Sequence, residues 1–108
     1  MTPEGKVKAD VKKYLDSIGA YHFWPVQTGM GATTLDCLAC IPFQSAGPRG
    51  LYRPVGRFWA IETKRPSGRA TGRQNLIIGR VGKAHGMAVV IDDVETLVRM
   101  VEGDEEDR

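Results

Sequence analysis

The stretch Phe58-Trp59-Ala60-Ile61-Glu62-Thr63-Lys64 is apolar apart from an acid and a base that stand two positions apart. Side chains alternate between the two faces of a β-strand, so a strand here places Glu62 and Lys64 side by side. Moving a charge out of water costs free energy unless the charge is paired, holds a metal ion or takes part in chemistry. The stretch therefore predicts a core strand with a paired or functional acid and base on one face.

A second apolar run, residues 35–41, also carries a single acid, Asp36. Its hydrophobic pattern is typical of a core strand. Cys37 and Cys40 lie on this run, and residues three apart on a strand face opposite sides. The spacing therefore favours two buried thiols over a disulfide or half of a zinc site. Two predicted strands thus each contribute one carboxylate.

The rest of the chain predicts helices and strands around these two runs. We expect a helix from Thr2 to Gly19, then a strand over 21–27 in which Pro25 indicates either an edge position or a bulge, and a flexible connection over 28–31. The Asp36 strand, a long excursion over 42–56 and the Glu62 strand follow. The last elements that we expect are a helix over 74–84 that Gly86 closes, a strand over 87–91 and a helix capped by Asp92 and Glu95. We expect one domain over residues 1–101 and a disordered acidic tail over residues 102–108.

Basic residues dominate the middle of the chain, although the formal net charge is only +2. A basic field of this kind favours a polyanion such as nucleic acid; the alternative is an ordinary solvated face with scattered charges. From position 49 to position 83 the basic residues are Arg49, Arg53, Arg57, Lys64, Arg65, Arg69, Arg73, Arg80 and Lys83, with Glu62 as the only acid.

The length of 108 residues fits one compact domain. The sequence has no apolar run of transmembrane length and no signal-peptide pattern, so we expect a cytoplasmic protein without a membrane partner. His22 and His85 are not in a metal-ligand spacing. We interpret them as a strand residue and as a cation at a helix C-terminus.

Asp36 followed at a distance by Glu62-Thr63-Lys64 resembles the PD-(D/E)XK nuclease signature, with Leu35 where that signature usually has proline. The continuation is Lys64-Arg65-Pro66, a short Gly/Ser/Arg loop, and Thr71-Gly72-Arg73-Gln74 at the start of a helix. This continuation resembles the virus-type replication-repair nuclease domain, VRR-NUC, in its small stand-alone phage-like form. The resemblance runs from about Glu4 to Val90.

This resemblance implies a restriction-endonuclease-like α/β fold, in which helices flank a mixed β-sheet in the order α-β-β-β-α-β-α. It also implies that the Asp36 and Glu62 strands are neighbours in that sheet. A bacterial or phage-infected cell is the corresponding setting.

Asp36 and Glu62 are oxygen donors suited to Mg²⁺ or Mn²⁺, and Lys64 beside them can orient or deprotonate a water and neutralise a phosphate. Gln74 shares the helix face that packs on the sheet and can reach the acid and base. The resemblance further implies that Gln74 belongs to the active site, that the backbone carbonyl of Thr63 is a third metal ligand, and that Glu4 in the first helix joins the metal shell. The alternative for Glu4 is a stabilising charge at a helix N-terminus.

A set of basic and aromatic residues is expected to bind DNA. A tyrosine between two arginines in the predicted excursion is suited to stacking on a nucleic acid strand, and the alternative is an ordinary connection. The DNA-binding residues that we expect are Arg65, Arg69, Arg73, Arg49, Arg53 and Tyr52.

The function predicted from these features is a divalent-metal-dependent DNA endonuclease. It is expected to select branched or four-way junction DNA as a homodimer, by resemblance to junction-resolving relatives. One alternative is a DNA-binding module without catalysis, in which Glu62 and Lys64 form a structural ion pair at a sheet edge. Another is a nuclease subunit that requires a helicase or other replication-repair partner.

Overall fold

Three α-helices flank a sheet of four strands in the computed structural model, which describes residues 1–26 and 34–106. In chain order the elements are α1 (Pro3–Ser17), β1 (Tyr21–Phe23), β2 (Cys37–Ala46), a 3₁₀ turn (Pro48–Gly50), β3 (Tyr52–Thr63), α2 (Gly72–Lys83), β4 (Met87–Ile91) and α3 (Val94–Glu106). The strands lie in the order β1-β2-β3-β4; the first three are antiparallel, and β4 runs parallel to β3. The predicted α/β class and element order are confirmed.

One face of the sheet is covered by α1 and α3. Residues of β2 alternate between buried and more exposed positions, as expected for a strand with one face in the core. Thr2 caps α1, since its Oγ1 accepts a hydrogen bond from Gly5 N (3.0 Å). The core consists of Val7, Val11, Leu15, Cys37, Ala39, Ile41, Trp59, Ile61, Ile91, Leu97 and Val101.

The opposite face of the sheet is only partly covered. The helix α2 packs on β4 and β3, and none of its residues is buried. Phe23 and Phe58 lie on this face, opposite Leu38 and Cys40 respectively, and remain 57% and 46% exposed. Among the described residues, this face is the open side of the molecule.

The predicted long excursion over residues 42–56 is wrong, because β2 and β3 continue through it as one antiparallel hairpin. Proline interrupts strand hydrogen bonding, so Pro42 and Pro54 favour an irregular segment when the sequence of this stretch is considered alone. However, β1 pairs with β2 up to Cys40, and β4 pairs with β3 from Trp59. Both prolines therefore lie where the hairpin has a free edge, and a missing N–H is tolerated there.

Several predicted boundaries are also corrected. Asp36 lies one residue before β2 and not within a strand. The strand β1 ends at Phe23, so Pro25 follows it at the edge of the sheet. Gln27 and the predicted connection over 28–31 lie outside the described residues.

The ends of two helices differ from prediction as well. Gly86 is predicted to close α2, but the residue that adopts the left-handed conformation after this helix is His85, with φ of 68°. Asp93 and not Asp92 supports the start of α3, since its Oδ1 accepts a hydrogen bond from Glu95 N (3.2 Å).

The acidic C-terminal segment is helical as far as Glu106, so the predicted disordered tail is wrong for residues 102–106. Positions 107 and 108 lie outside the described residues.

Asp104 Oδ2 lies 3.2 Å from Arg57 Nε, in an ion pair that is not aligned as a hydrogen bond. The Arg57 guanidinium also lies over the Phe43 ring, 5.2 Å from its centroid. Arg57 thus links α3 to the hairpin and does not belong to a free basic surface.

None of α1, α2 and α3 has the length and apolar character that crossing a membrane requires, and no other described segment is such a helix. The assignment of a single domain to residues 1–101 stays a prediction.

The two cysteines differ in their surroundings. Burial, and to a lesser extent the charge of Asp36, raises the pKa of the Cys37 thiol to about 12. Cys40 is exposed, so the prediction of two buried thiols is wrong for it. Its Sγ lies over Gly56 of β3, where a Cβ would overlap with the sulfur atom.

We expect one thiol per folded chain to react with a disulfide reagent such as dithionitrobenzoate, because reaction requires an accessible thiolate. Spectrophotometric titration should find both thiols only in guanidinium. The Cys40→Ser variant should lose the native reaction, whereas Cys37→Ser should retain it. Equal reaction rates of both thiols in the folded protein would contradict the assigned burial.

Candidate active site

Asp36 and Glu62 meet where β2 begins and β3 ends. Glu62 is only 5% exposed, and its Oε1 accepts a hydrogen bond from the backbone N–H of Asp36 (3.2 Å). Asp36 Oδ2 accepts hydrogen bonds from the backbone N–H (3.0 Å) and the hydroxyl (2.8 Å) of Thr63. The Glu62 carboxylate is thus held by the backbone of Asp36, and the Asp36 carboxylate is held by Thr63, the residue after Glu62. Antiparallel pairing of β2 with β3 brings together the two acids that the sequence singles out.

Gln74 reaches this pair from the first turn of α2. Its Oε1 accepts a hydrogen bond from the N–H of the N-cap residue Thr71 (2.9 Å), and Thr71 Oγ1 accepts one from Gln74 N (3.2 Å). This capping box orients the amide so that its Nε2 donates to Glu62 Oε2 (2.9 Å). The expected contact between Gln74 and the acid–base cluster is present. Sequence reasoning missed the capping box, although Thr71-x-x-Gln74 is its signature.

Lys64 directly follows β3 and completes the cluster. Its Nζ lies 3.6 Å from Glu62 Oε2, and 17% of its side chain is exposed. Its backbone N–H donates to the Ile91 carbonyl (2.9 Å), which fixes this end of β3 against β4. The acid and the base therefore lie side by side, as strand alternation predicts.

A tight loop after Lys64 packs closely against it. Gly68 N donates to the Arg65 carbonyl (2.8 Å), and Ser67 N donates to Asp92 Oδ2 (3.0 Å). A Cβ at Gly68 would lie 2.9 Å from Lys64 Cβ, which is closer than such atoms approach. Glycine therefore allows the loop to approach Lys64. No local pattern in the sequence marks this position.

The electrostatics of the cluster are dominated by its two acids. Burial and, to a lesser extent, the charge of Asp36 raise the pKa of Glu62 to about 7, while the charge of Lys64 acts in the opposite direction. Two carboxylates therefore share a largely buried region with one ammonium group. A bound cation would relieve this excess of negative charge.

The oxygen donors present fit a hard divalent cation such as Mg²⁺ or Mn²⁺. Mg²⁺ commonly takes one or two protein carboxylates and keeps several waters, a share that Asp36 and Glu62 can supply. Within residues 1–26 and 34–106, no third His, Cys, Asp or Glu joins them in a metal-binding group. Glu4 is not brought into such a group; its Oε2 lies 3.9 Å from Lys8 Nζ on the same helix.

The residues expected to bind DNA fall into two separate groups. We call Arg65, Arg69 and Arg73 the loop arginines, and Arg49, Tyr52 and Arg53 the hairpin tip. The loop arginines are exposed next to the acid–base cluster, on the loop after Lys64 and the first turn of α2. The hairpin tip is exposed at the far end of β2 and β3. At about 3.3 Å per residue, β3 separates Tyr52 from Glu62 by about 33 Å.

Comparison with solved structures finds a similar fold. The chain superposes on a structure described as "VRR_NUC domain" with a TM-score of 0.69 and 19% sequence identity, covering 94% of this chain and 97% of that one. No family model matches the chain, and no curated protein matches it. The chain therefore has the fold of a VRR_NUC domain, as the sequence resemblance implied.

We expect the metal-free protein to lose stability as the pH rises from about 4.5 to about 7. The folded state holds a proton on Glu62 more tightly than the unfolded state does, so ionisation favours unfolding over this range. Thermal melts in EDTA at several pH values measure the effect. The Glu62→Gln variant should show a melting temperature that falls less with pH, by a few degrees or more. An exposed control, Glu95→Gln, should behave as wild type, and equal pH slopes for all three proteins would refute the assignment.

Proposed function

We propose that this protein is a divalent-metal-dependent nuclease that hydrolyses phosphodiester bonds in DNA, using Mg²⁺ or Mn²⁺. The observation that carries the proposal is the convergence of Asp36, Glu62, Lys64 and Gln74 at one end of the sheet. Two acids and an amine at this spacing suit phosphate chemistry, and the VRR_NUC fold supports the same reading.

Each residue of the cluster has a distinct proposed role. Asp36 and Glu62 would hold the cation, with the backbone carbonyl of Thr63 as a further donor. The cation, when bound, supplies stabilisation of the charge that develops on the phosphate oxygens. Lys64 is placed to orient a water and to neutralise the scissile phosphate. Gln74 is a positioning residue, since its amide is fixed by Thr71 and holds Glu62.

The role of Glu4 in the metal shell stays a prediction. The Glu4→Gln variant tests it through the concentration of Mn²⁺ needed for half-maximal cleavage. If Glu4 contributes only a charge at the start of α1, this concentration should be unchanged.

The two basic groups suggest a path for DNA across the molecule. The loop arginines are placed to bind phosphates beside the cluster. The hairpin tip lies about 33 Å from the cluster along β3. This distance is close to the length of one turn of duplex DNA, about 34–36 Å. We therefore propose that the tip contacts the DNA backbone about one helical turn from the cut.

Junction selectivity and dimer formation are further parts of the proposal. The described residues of each chain form one acid–base cluster, and symmetric cleavage of a branched or four-way junction requires two. A homodimer would present two such sites on one substrate. Light scattering of the free protein and of its junction complex measures this, and a 1:1 complex on a four-way junction would contradict it.

We expect Asp36→Asn, Glu62→Gln and Lys64→Met each to reduce metal-dependent DNA cleavage by roughly 10²–10³-fold or more, because each removes a charge at the reacting phosphate. The assay measures initial rates on junction, flap, nicked, duplex and single-stranded DNA with titrated Mn²⁺ or Mg²⁺. Glu95→Gln, an exposed acid on α3, is the matched control and should cleave as wild type.

Wild-type rates in the Asp36 and Lys64 variants would refute the proposed site. Tight DNA binding without cleavage of any substrate would instead favour the non-catalytic module. Cleavage that appears only with an added helicase would favour a subunit that depends on a partner.

We expect the double variant Arg49→Gln/Arg53→Gln to bind duplex DNA more weakly and to reduce the slope of log K against log salt by up to about 2, since each lost phosphate contact removes about 0.9. Its cleavage rate at saturating DNA should stay near wild type, because the tip is far from the cluster. Fluorescence anisotropy over a salt series measures the slope. Lys13→Gln/Arg99→Gln removes the same charge from α1 and α3 and should leave the slope unchanged; an equal loss in both double variants would refute a role for the tip.

A further inference from the structure

A hollow of about 560 Å³ lies beside the C-terminal half of α2, on the same face of the sheet as Glu62. Phe58 forms part of its wall from the strand, and Ile77 and Val81 form part of it from the helix. Arg80 and His85 also line it. The cluster at the first turn of α2 and this hollow near its last turn therefore lie along one helix. None of the roles assigned above uses the hollow.

Phe58 is the most informative residue of this hollow. It lies on a paired strand, so its backbone is held in place, yet 46% of the residue is exposed. A Cβ at Gly86 would lie 3.0 Å from Phe58 Cδ2, so glycine at this position allows the chain to pass close to the ring. An aromatic ring held at an open apolar site can stack on another flat ring.

Two polar side chains accompany the aromatic ring. Within the described part of the chain, no carboxylate pairs with Arg80, and its side chain is exposed. His85 is exposed and also lines a smaller adjoining hollow of about 290 Å³, together with Phe58 and Arg57. A guanidinium binds phosphate oxygens with two donors, and an imidazole can donate to a phosphate or base oxygen. The site thus combines an apolar wall with donors suited to an anion.

We propose that this hollow binds one unpaired nucleotide of the DNA strand, with its base on Phe58 and its phosphate on Arg80. An aromatic ring beside an arginine is the pairing by which proteins bind single-stranded nucleic acid without reading its sequence. The charge of Arg80 complements the phosphate. This inference rests on the proposed function and specifies which DNA the same face accepts.

The hollow lies a short distance from the place where the proposed nuclease would cleave DNA. Phe58 and Glu62 are four residues apart on β3, which corresponds to about 13 Å. Stacked nucleotides advance about 3.4 Å each, so the bound base lies within about four nucleotides of the scissile phosphate. A base inside a duplex must leave its stack to enter such a site, which costs free energy. The hollow therefore favours flaps, junctions and other DNA with an unpaired base near the cut.

The test uses 2-aminopurine, whose fluorescence falls when it stacks on an aromatic ring, placed at successive positions of a flap oligonucleotide. Binding of the whole protein is measured in EDTA, so the result does not depend on cleavage. We expect quenching at one or two adjacent positions, and we expect Phe58→Leu to abolish it and to weaken flap binding roughly tenfold. Phe58→Tyr keeps the ring and should keep the quenching.

Matched controls separate stacking from loss of structure. Tyr21→Leu removes an exposed ring from the same sheet face outside the hollow and should quench as wild type. Arg80→Gln should weaken flap binding while keeping the quenching at saturation. Melting temperatures of all variants confirm folding.

Unchanged quenching in folded Phe58→Leu, or no quenching at any position by a wild-type protein that binds the flap, would overturn the inference. A change of oligomeric state in Phe58→Leu with flap binding intact would also overturn it, because the hollow would then hold a protein segment. If the wild-type protein shows position-specific quenching but cleaves no DNA with Mg²⁺ or Mn²⁺, the nuclease proposal fails and the nucleotide site stands.

Discussion

The buried contact between Asp36 and Glu62 is the constraint on which the rest of the site depends. Two like charges in a region with little water raise the free energy of the folded state unless donors surround them. Those donors are the N–H and hydroxyl of Thr63, the amide of Gln74 and the ammonium of Lys64, together with the N–H of Asp36 itself. These donors come from the start of β2, the end of β3 and the first turn of α2. The two acids therefore connect these three elements through hydrogen bonds and an ion pair.

One face of the sheet holds the hydrophobic core, and the other holds the residues to which a function is proposed. The face under α1 and α3 buries the apolar residues of β2 and β3 and provides most of the core. The face under α2 stays partly open and carries both Glu62 and the hollow beside Phe58. An exposed side chain on this face, such as Phe58, gains less from burial, so its residue type is free to serve binding. The proposed activity on a long polyanion requires an open face of this kind.

Much of the fold, together with the placement of Glu62 beside Lys64, could be predicted from local patterns. The apolar stripe and Thr2 cap of α1, the continuous run of β4 and the two-residue alternation of β3 are each encoded within a few neighbouring residues. The hairpin over 42–56 was predicted wrongly because proline and glycine signals are local, whereas strand pairing supplies hydrogen bonds from a distant segment. The acidic end of α3 was predicted wrongly for a similar reason, since composition does not reveal that Asp104 meets Arg57.

The sequence by itself determined the donor types, the placement of Glu62 and Lys64 side by side at the end of β3, and the order of helices and strands. Only the tertiary structure decided that Asp36 meets Glu62 while Glu4 pairs along its own helix, that the hairpin tip lies far from the cluster, and that Phe58 borders an open hollow. The physical reason is the separation along the chain of the residues that interact. Periodicity and capping act between residues a few positions apart, whereas strand register and helix packing join residues that are distant in the chain.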